Sequence, residues 1–208
     1  MTIDDYIVNH VDDEPDYLTA VNRRTWVRQI NPRMCSGYLQ GRVLSMLGKM
    51  INPLHILEIG TFTGYSALCL AESLADGGYV DTIEIDDELE DFIRENIALS
   101  PFDDKIKLHI GDALLVIPTL QKEYDLVFID ANKNQYIQYY DAIFPVLRHG
   151  GYILVDNTLW NGKVVEEVAP NDKQTKEIIR FNTKIKADKR VEKLILPIRD
   201  GLTILRKL

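Results

Sequence analysis

The segment LHILEIGTFTGYSALCLAESLA, residues 54–75, decides how the rest of the chain is interpreted. It begins with a continuous apolar run, turns at Gly60 and continues with apolar residues at helical spacing. A continuous apolar run is typical of a strand that is covered on both faces, as strands of parallel sheets are. The segment therefore predicts a strand, a glycine turn and a helix of an α/β protein.

Four further apolar runs continue this pattern. Amphipathic stretches separate them, and they read YVDTIEID (79–86), IKLHIG (106–111), YDLVFID (124–130) and YILVDN (152–157). The alternation predicts a doubly wound, mostly parallel sheet. After a helical stretch near residues 172–187, VEKLILPI (191–198) and GLTILRKL (201–208) are joined by a link too short for a crossover helix, which predicts a C-terminal antiparallel hairpin.

The first 50 residues contain helical patterns and a break at Asn31-Pro32, but no strand-like run. No linker or internal repeat separates them from the sheet region. We therefore expect a single domain over residues 1–208, in which residues 1–50 form an N-terminal helical cap on the sheet.

Composition argues against several classes of protein. Asp and Glu number 32 against 24 Lys and Arg, which gives a net charge of −8. A protein with this excess of negative charge is not expected to bind nucleic acid or a membrane surface. No apolar run approaches the roughly 18 residues of a membrane helix, and the N-terminus lacks a secretory pattern, so we expect a cytoplasmic protein. Cys35 and Cys69 form no motif for zinc or a disulfide framework.

Ligands of open α/β sheets bind beyond the carboxyl ends of the strands. After the first strand, Gly60 would let a ligand approach the backbone, whereas Phe62 interrupts the GxGxxG pattern of dinucleotide sites. The glycine turn is therefore expected to bind a nucleoside without a pyrophosphate rather than a dinucleotide. Glu84 ends the second strand, where an acid can bind ribose hydroxyls; a solvated surface acid is the alternative.

The fourth and fifth strands end in Asp130 and in Asp156-Asn157. Neighbouring strand ends would bring these side chains together, and an incomplete set of oxygen ligands suits Mg²⁺. Either Asp could instead cap the element that follows it. Lys133 lies close enough in sequence to reach the same cavity and remove a proton, although an exposed lysine is the simpler interpretation.

Four features together resemble the cation-dependent O-methyltransferases, the group that contains catechol O-methyltransferase and caffeoyl-CoA O-methyltransferase. They are LEIGTFTGYS (57–66), the acid that closes the second strand, FIDANK (128–133) and VDNTLW (155–160). The resemblance extends from about Met34 to the end of the chain. Many relatives have Asp-Ala-Asp-Lys where this chain has Asn132, which leaves the expected ligand in place.

The resemblance implies the Rossmann-like, seven-stranded fold of class I methyltransferases, with S-adenosylmethionine as methyl donor. It also implies a role for individual residues. At the donor site, Met34 and Ser36 would line the pocket from the cap, Glu58, Gly60, Thr61 and Ser66 would surround the methionine part, Glu84 would bind the ribose, and Ala113 would bind the adenine through its backbone. Asp130 would also lie at the donor site and would bind the metal together with Asp156 and Asn157, and Lys133 would be the general base.

The same resemblance implies the reaction. Mg²⁺, or another divalent cation such as Mn²⁺ or Ca²⁺, would bind two vicinal oxygens of a small, catechol-like hydroxylated aromatic acceptor while Lys133 removes a proton. Relatives are often homodimers, so we expect one here.

Three alternatives remain. Some relatives methylate hydroxylated uridines of tRNA, and Arg23, Arg24, Arg28 and Arg33 form a small basic cluster. An NAD-type dehydrogenase is opposed by the missing GxGxxG and by the terminal hairpin. A non-catalytic adenosylmethionine-binding module is opposed by the set of charged residues after the fourth and fifth strands.

Overall fold

A computed structural model describes residues 2–208, which form a seven-stranded sheet with helices on both faces. The elements are α1 (Ile3–Val8), α2 (Asp16–Arg28), α3 (Gly37–Ile51), β1 (His55–Ile59), α4 (Tyr65–Ala71), β2 (Tyr79–Glu84), α5 (Glu90–Ile97), β3 (Ile106–Ile110), α6 (Ala113–Leu120), β4 (Tyr124–Ile129), α7 (Tyr136–Ile143), β5 (Leu147–Val155), α8 (Lys173–Ala187), β6 (Val191–Leu196) and β7 (Leu202–Lys207). Met1, the first residue of the expected domain, lies outside this range.

The strands lie in the order β3-β2-β1-β4-β5-β7-β6. Strands β1 to β5 pair in parallel, and β7 is antiparallel to both β5 and β6. The predicted doubly wound sheet with its C-terminal antiparallel hairpin is therefore confirmed. The strand order reverses between β1 and β4, and a crevice at such a reversal is where open α/β sheets bind ligands.

Two apolar clusters cover the two faces of the sheet. Helices α2 to α5 pack on one face, and α6 to α8 pack on the other. Successive strand residues point to opposite faces, so Ile56 joins the first cluster and Leu57 the second, which explains the continuous apolar run of β1. Cys35 and Cys69 are buried free thiols.

Two boundaries differ from expectation. Strand β5 begins at Leu147 rather than near Tyr152, because the chain after α7 pairs with β4 at once and the register then shifts. The N-terminal helical stretch is divided near Pro15. In the acidic segment that follows α1, Glu14 accepts hydrogen bonds from Tyr65 and Thr19. Within residues 2–208, no helix has the length and apolar character needed to span a membrane.

Candidate active site

A cleft of about 970 Å³ lies at the carboxyl ends of the parallel strands, beside the cap segment 28–36. It is lined by nearly every residue that the sequence predicts for the site: Met34, Ser36, Gly60, Thr61, Ser66, Glu84, Ala113, Asp130, Lys133, Asp156 and Asn157. Glu58 is the exception, because it is fully buried behind the cleft wall. The roles of these residues stay predictions, but their positions converge.

Backbone hydrogen bonds continue past the ends of the strands and align the residues that follow them. The N–H of Asp130 donates to the carbonyl of Ile59 at 2.9 Å, and the N–H of Asp156 donates to the carbonyl of Ile129 at 3.0 Å. Gly60 has a φ of +98°, and a Cβ added there would lie 2.1 Å from the Asp130 carbonyl oxygen. The β1 turn and the end of β4 therefore approach closely only because residue 60 is glycine.

Glu84 is a buried anchor and not a solvated acid, so the alternative interpretation of this residue is wrong. Its Oε2 accepts a hydrogen bond from the N–H of Phe62 at 2.7 Å. Its Oε1 accepts from the N–H groups of Ile85 and Asp86 at 2.9 and 3.1 Å. The carboxylate thus holds the glycine turn to the end of β2, and Oε2, which accepts one hydrogen bond, retains acceptor capacity for a ligand hydroxyl.

Glu58 lies in β1 with no exposed surface. The Thr82 hydroxyl donates to its Oε2, and the Thr61 hydroxyl is 2.5 Å from that of Thr82. Its Oε1 has no hydrogen-bond partner among the residues described. Burial raises the pKa of Glu58 to about 8, against the effect of the Thr82 hydroxyl. An unpartnered buried acceptor of this kind suits a cationic group of a ligand.

Helix α6 begins at the edge of the cleft. The side chain of Asp112 accepts a hydrogen bond from the N–H of Leu114 and so caps the helix. The N–H of Ala113 belongs to the first turn and has no intrahelical acceptor. Ala113 can therefore offer a backbone donor to the heterocycle of a nucleoside.

Asp130 and Lys133 form an ion pair at the end of β4. The Nζ of Lys133 donates to Oδ1 of Asp130 at 2.6 Å, and the Lys133 side chain is only 11% exposed. The interpretation of Lys133 as an exposed surface lysine is therefore wrong. Asp130 does not cap the helical turn that follows, because the side chain of Asn132 performs that role. Both residues line the cleft.

Asp156 is buried at the end of β5. Its Oδ2 accepts a hydrogen bond from Nε2 of Gln40 at 2.7 Å, and its Oδ1 accepts from the N–H of Asn157 at 2.8 Å. Burial, and then the negative charge of Asp130, raise the pKa of Asp156 to about 6. Two carboxylates with an unfavourable mutual charge fit a cation chemically, since bound positive charge would relieve that repulsion.

Carboxylates alone do not complete a metal site here. Among the side chains that the structure describes, no group of three His, Cys, Asp or Glu could hold a metal ion. A third protein ligand would have to be an amide oxygen, and Asn157 follows Asp156 directly. Oxygen ligands of this mixture suit a hard cation that keeps positions open for other oxygens.

Two supporting residues escaped the sequence analysis. Gln40 occupies the buried face of α3 with Leu44 and Gly48, which lie four and eight residues further on. This helical spacing would have predicted that Gln40 is buried. Tyr136 is fully buried, and its hydroxyl donates to the backbone carbonyl of Asp156 at 3.0 Å. Both brace Asp156 from elements that are remote in sequence.

The loop after β5 is strained where it meets the cleft. Asn157, Trp160 and Asn161 have positive φ angles of 57°, 49° and 52°. Asn tolerates this conformation, but a bulky Trp rarely adopts it, and such strain is often found at functional sites. Trp160 lines the cleft, whereas Asn161 does not.

Comparison with known proteins identifies the family. A sequence model described as O-methyltransferase matches residues 8–208. The chain belongs to the O-methyltransferase family. It is 36% identical over 182 residues to caffeoyl-CoA O-methyltransferase 1 of Eucalyptus globulus, across 81% of this chain and 73% of that protein.

Solved structures place this O-methyltransferase in the same group. An O-methyltransferase from Bacillus cereus in complex with SAH (S-adenosylhomocysteine) superposes with a TM-score of 0.92 at 27% identity, covering 99% of this chain and 97% of the other. TomG, an O-methyltransferase of Streptomyces achromogenes in complex with SAM, has a TM-score of 0.90 at 26% identity, with coverage of 99% and 95%. The predicted family and the predicted enzyme class are confirmed, and the dehydrogenase alternative is removed.

Proposed function

We propose that this O-methyltransferase transfers a methyl group from S-adenosylmethionine to one hydroxyl of a small aromatic acceptor that carries two vicinal hydroxyls, with the help of a divalent cation. The observation that carries the proposal is the buried carboxylate of Asp156 beside Asp130, Asn157 and Lys133 at one end of the cleft. The names of relatives such as caffeoyl-CoA O-methyltransferase support this choice of acceptor.

S-adenosylmethionine, when bound, supplies a methyl group on a positively charged sulfur. The unpartnered Oε1 of Glu58 would accept from the α-ammonium of its methionine part, near Gly60, Thr61 and Ser66. Glu84 would accept from the ribose, and the N–H of Ala113 would donate to the adenine. Met34 and Ser36 of the cap, with Asp130 opposite, would complete the donor site.

A divalent cation, Mg²⁺ or else Mn²⁺ or Ca²⁺, would supply Lewis acidity to the acceptor hydroxyls. Asp130, Asp156 and Asn157 would hold it. Lys133 would accept the acceptor's proton at Nζ. A cation on Asp130 would compete with the Nζ of Lys133 for that carboxylate and would so free Lys133 to contact the acceptor.

The cleft suits a small acceptor better than tRNA. The net charge of −8 repels a polyanion, and two members of the arginine cluster, Arg24 and Arg28, already form ion pairs with Glu95. The proposal includes a single methyltransferase domain, a cytoplasmic location and, by family resemblance, a homodimer. Light scattering on the purified protein tests the oligomeric state.

A mass-spectrometric screen for methylated products tests the proposal. Catechol, a caffeoyl thioester and bulk tRNA are each incubated with S-adenosylmethionine, once with Mg²⁺ and once with EDTA, and phenol and a coumaroyl thioester serve as matched acceptors with one hydroxyl. We expect methylation of the dihydroxy acceptors in Mg²⁺ only. Methylation confined to tRNA, with a steep dependence on salt, would favour the nucleic-acid alternative.

A further inference from the structure

The turn between β6 and β7 contacts the loop that follows the proposed cation ligands. The carbonyl of Asp200 accepts hydrogen bonds from the N–H groups of Leu159 and Trp160 at 2.7 and 3.1 Å. The carbonyl of Gly201 accepts from the N–H of Thr158 at 3.1 Å. A Cβ at Gly201 would lie 2.5 Å from Leu159, so the glycine permits this close contact. The backbone of the turn therefore fixes one wall of the cleft.

The side chain of Arg199 extends from the same turn to the N-terminal cap. Its Nη1 donates to Oε1 of Gln40 at 2.7 Å and to the backbone carbonyl of Ser36. A longer contact of 3.4 Å reaches the carbonyl of Cys35. One guanidinium group thus joins α3, the cap segment before it and the terminal hairpin.

Arg199 also determines which way the Gln40 amide points. A guanidinium group has only donors, so Gln40 must turn its oxygen toward Arg199. The Gln40 nitrogen then faces Asp156 and donates to Oδ2 at 2.7 Å. Gln40 is 1% exposed, so water cannot replace either partner without rearrangement. The arginine therefore supplies Asp156 with a fixed donor.

We propose that Arg199 is a positioning residue that orients Asp156 through Gln40 and, through the Ser36 carbonyl, holds the cap at the donor site. This inference rests on the proposed function, in which Asp156 binds the cation and Ser36 lines the donor site. Groups that hydrogen-bond to metal ligands typically contribute roughly 10–100-fold to metal affinity. Arg199 and Gln40 are expected to act within that range.

The test measures two affinities on the full chain. Mn²⁺ binding is followed by electron paramagnetic resonance, and binding of S-adenosylhomocysteine by calorimetry. We expect Gln40→Leu to weaken Mn²⁺ about tenfold, because Asp156 loses its donor. S-adenosylhomocysteine should bind unchanged, because Arg199 loses its bond to Gln40 but keeps the one to the Ser36 carbonyl that holds the cap. Arg199→Met should weaken both ligands, and Arg199→Lys, which keeps a donor, should recover part of each loss.

Arg206→Met is the matched control, since Arg206 lies on β7 and its side chain pairs with Glu192 outside the cleft. It should change neither affinity. Wild-type affinity for both ligands in Arg199→Met, or equal losses of both ligands in Gln40→Leu, would overturn the inference. If Arg199→Met does not fold, Gln40→Leu and Arg199→Lys still decide it. A wild-type protein that binds S-adenosylhomocysteine but no Mn²⁺ would instead refute the proposed cation, and with it the Asp156 part of the inference.

Discussion

The two halves of the cleft are built in different ways. At the ends of β1 to β3, which we call the donor half, the main features are backbone groups and carboxylates bonded to nearby loops, such as Glu84 with the N–H of Phe62. At the ends of β4 and β5, which we call the cation half, charged side chains dominate, and Asp156 depends on a distant partner, because Gln40 and Asp156 are 116 residues apart. The shape of the donor half depends on backbone geometry, and that of the cation half depends on the balance of charges. Single substitutions should therefore affect donor binding and cation binding separately.

The largest expected effect is that of Asp156→Asn. The change removes one of the two carboxylates that would hold the cation, so we expect Mg²⁺-dependent methyl transfer to fall by at least about 10³-fold. Binding of S-adenosylhomocysteine should change little, because the donor half is intact. Initial rates and calorimetry measure the two effects.

Asp141→Asn is the matched control for this change, because Asp141 lies on α7 and pairs with Lys184 at the surface. It should leave the rate and the affinity unchanged. If Asp156→Asn retained its rate in Mg²⁺, Asp156 would not be a cation ligand.

Lys133→Met is expected to have the next largest effect. Loss of a general base typically costs about 10²–10⁴-fold in rate. Mn²⁺ affinity should not fall, because the substitution removes the ammonium group that pairs with Asp130 and leaves every proposed metal ligand in place. Steady-state kinetics give kcat, and paramagnetic resonance gives the Mn²⁺ affinity. An unchanged kcat would remove Lys133 from the reaction.

Most of the fold could be predicted from local sequence. The continuous apolar run of residues 54–59 and the short link between β6 and β7 indicated the parallel sheet and its hairpin. The start of β5 was missed because Leu147 and Arg148 continue an amphipathic pattern, and only pairing with Tyr124 makes them a strand.

The residues at the strand ends could be placed in the cleft from sequence, because parallel strands end at the same edge of a sheet. Their supports could not. The contacts of Asp156 with Gln40 and Tyr136, and of Gln40 with Arg199, join elements distant in sequence. The burial of Glu58 behind the cleft wall likewise depends on the packing of whole helices.

Glu58→Gln should affect the donor half of the cleft and not the cation half. Loss of a charged acceptor for the donor ammonium should weaken S-adenosylhomocysteine binding roughly 10–100-fold, with Mn²⁺ affinity unchanged. Calorimetry at pH 8 measures the first effect. An affinity within twofold of the wild type would remove Glu58 from the donor site.

The same variant has a signature in stability. Because the pKa of Glu58 in the folded protein is raised from 4.5 to about 8, the folded state binds the proton more tightly than the unfolded state. Wild-type stability should therefore fall relative to Glu58→Gln as the pH rises from about 4.5 to 8, by roughly 1.4 kcal/mol per pH unit. Urea unfolding across this range, without donor, measures the difference, and parallel curves would contradict the assigned burial.

Gly60→Ala should affect both halves of the cleft. This glycine belongs to the donor half, and the absence of a Cβ there makes room for the carbonyl of Asp130 in the cation half. Gly77→Ala is the matched control, with a φ of +78° and no atom within 4 Å of an added Cβ. We expect Gly60→Ala to cost about 1–3 kcal/mol more in unfolding free energy than the control, and to weaken both ligands. Equal urea midpoints for the two variants would show that the close approach is unimportant.

The proposed cation-dependent reaction is tested by the rate of methyl transfer from S-adenosylmethionine to a caffeoyl thioester, catalysed by protein stripped of metal with EDTA. We expect no methylated product until Mg²⁺ is added in excess, and then product from the dihydroxy acceptor but not from a coumaroyl thioester. Equal rates of methylation with EDTA and with Mg²⁺ would contradict it.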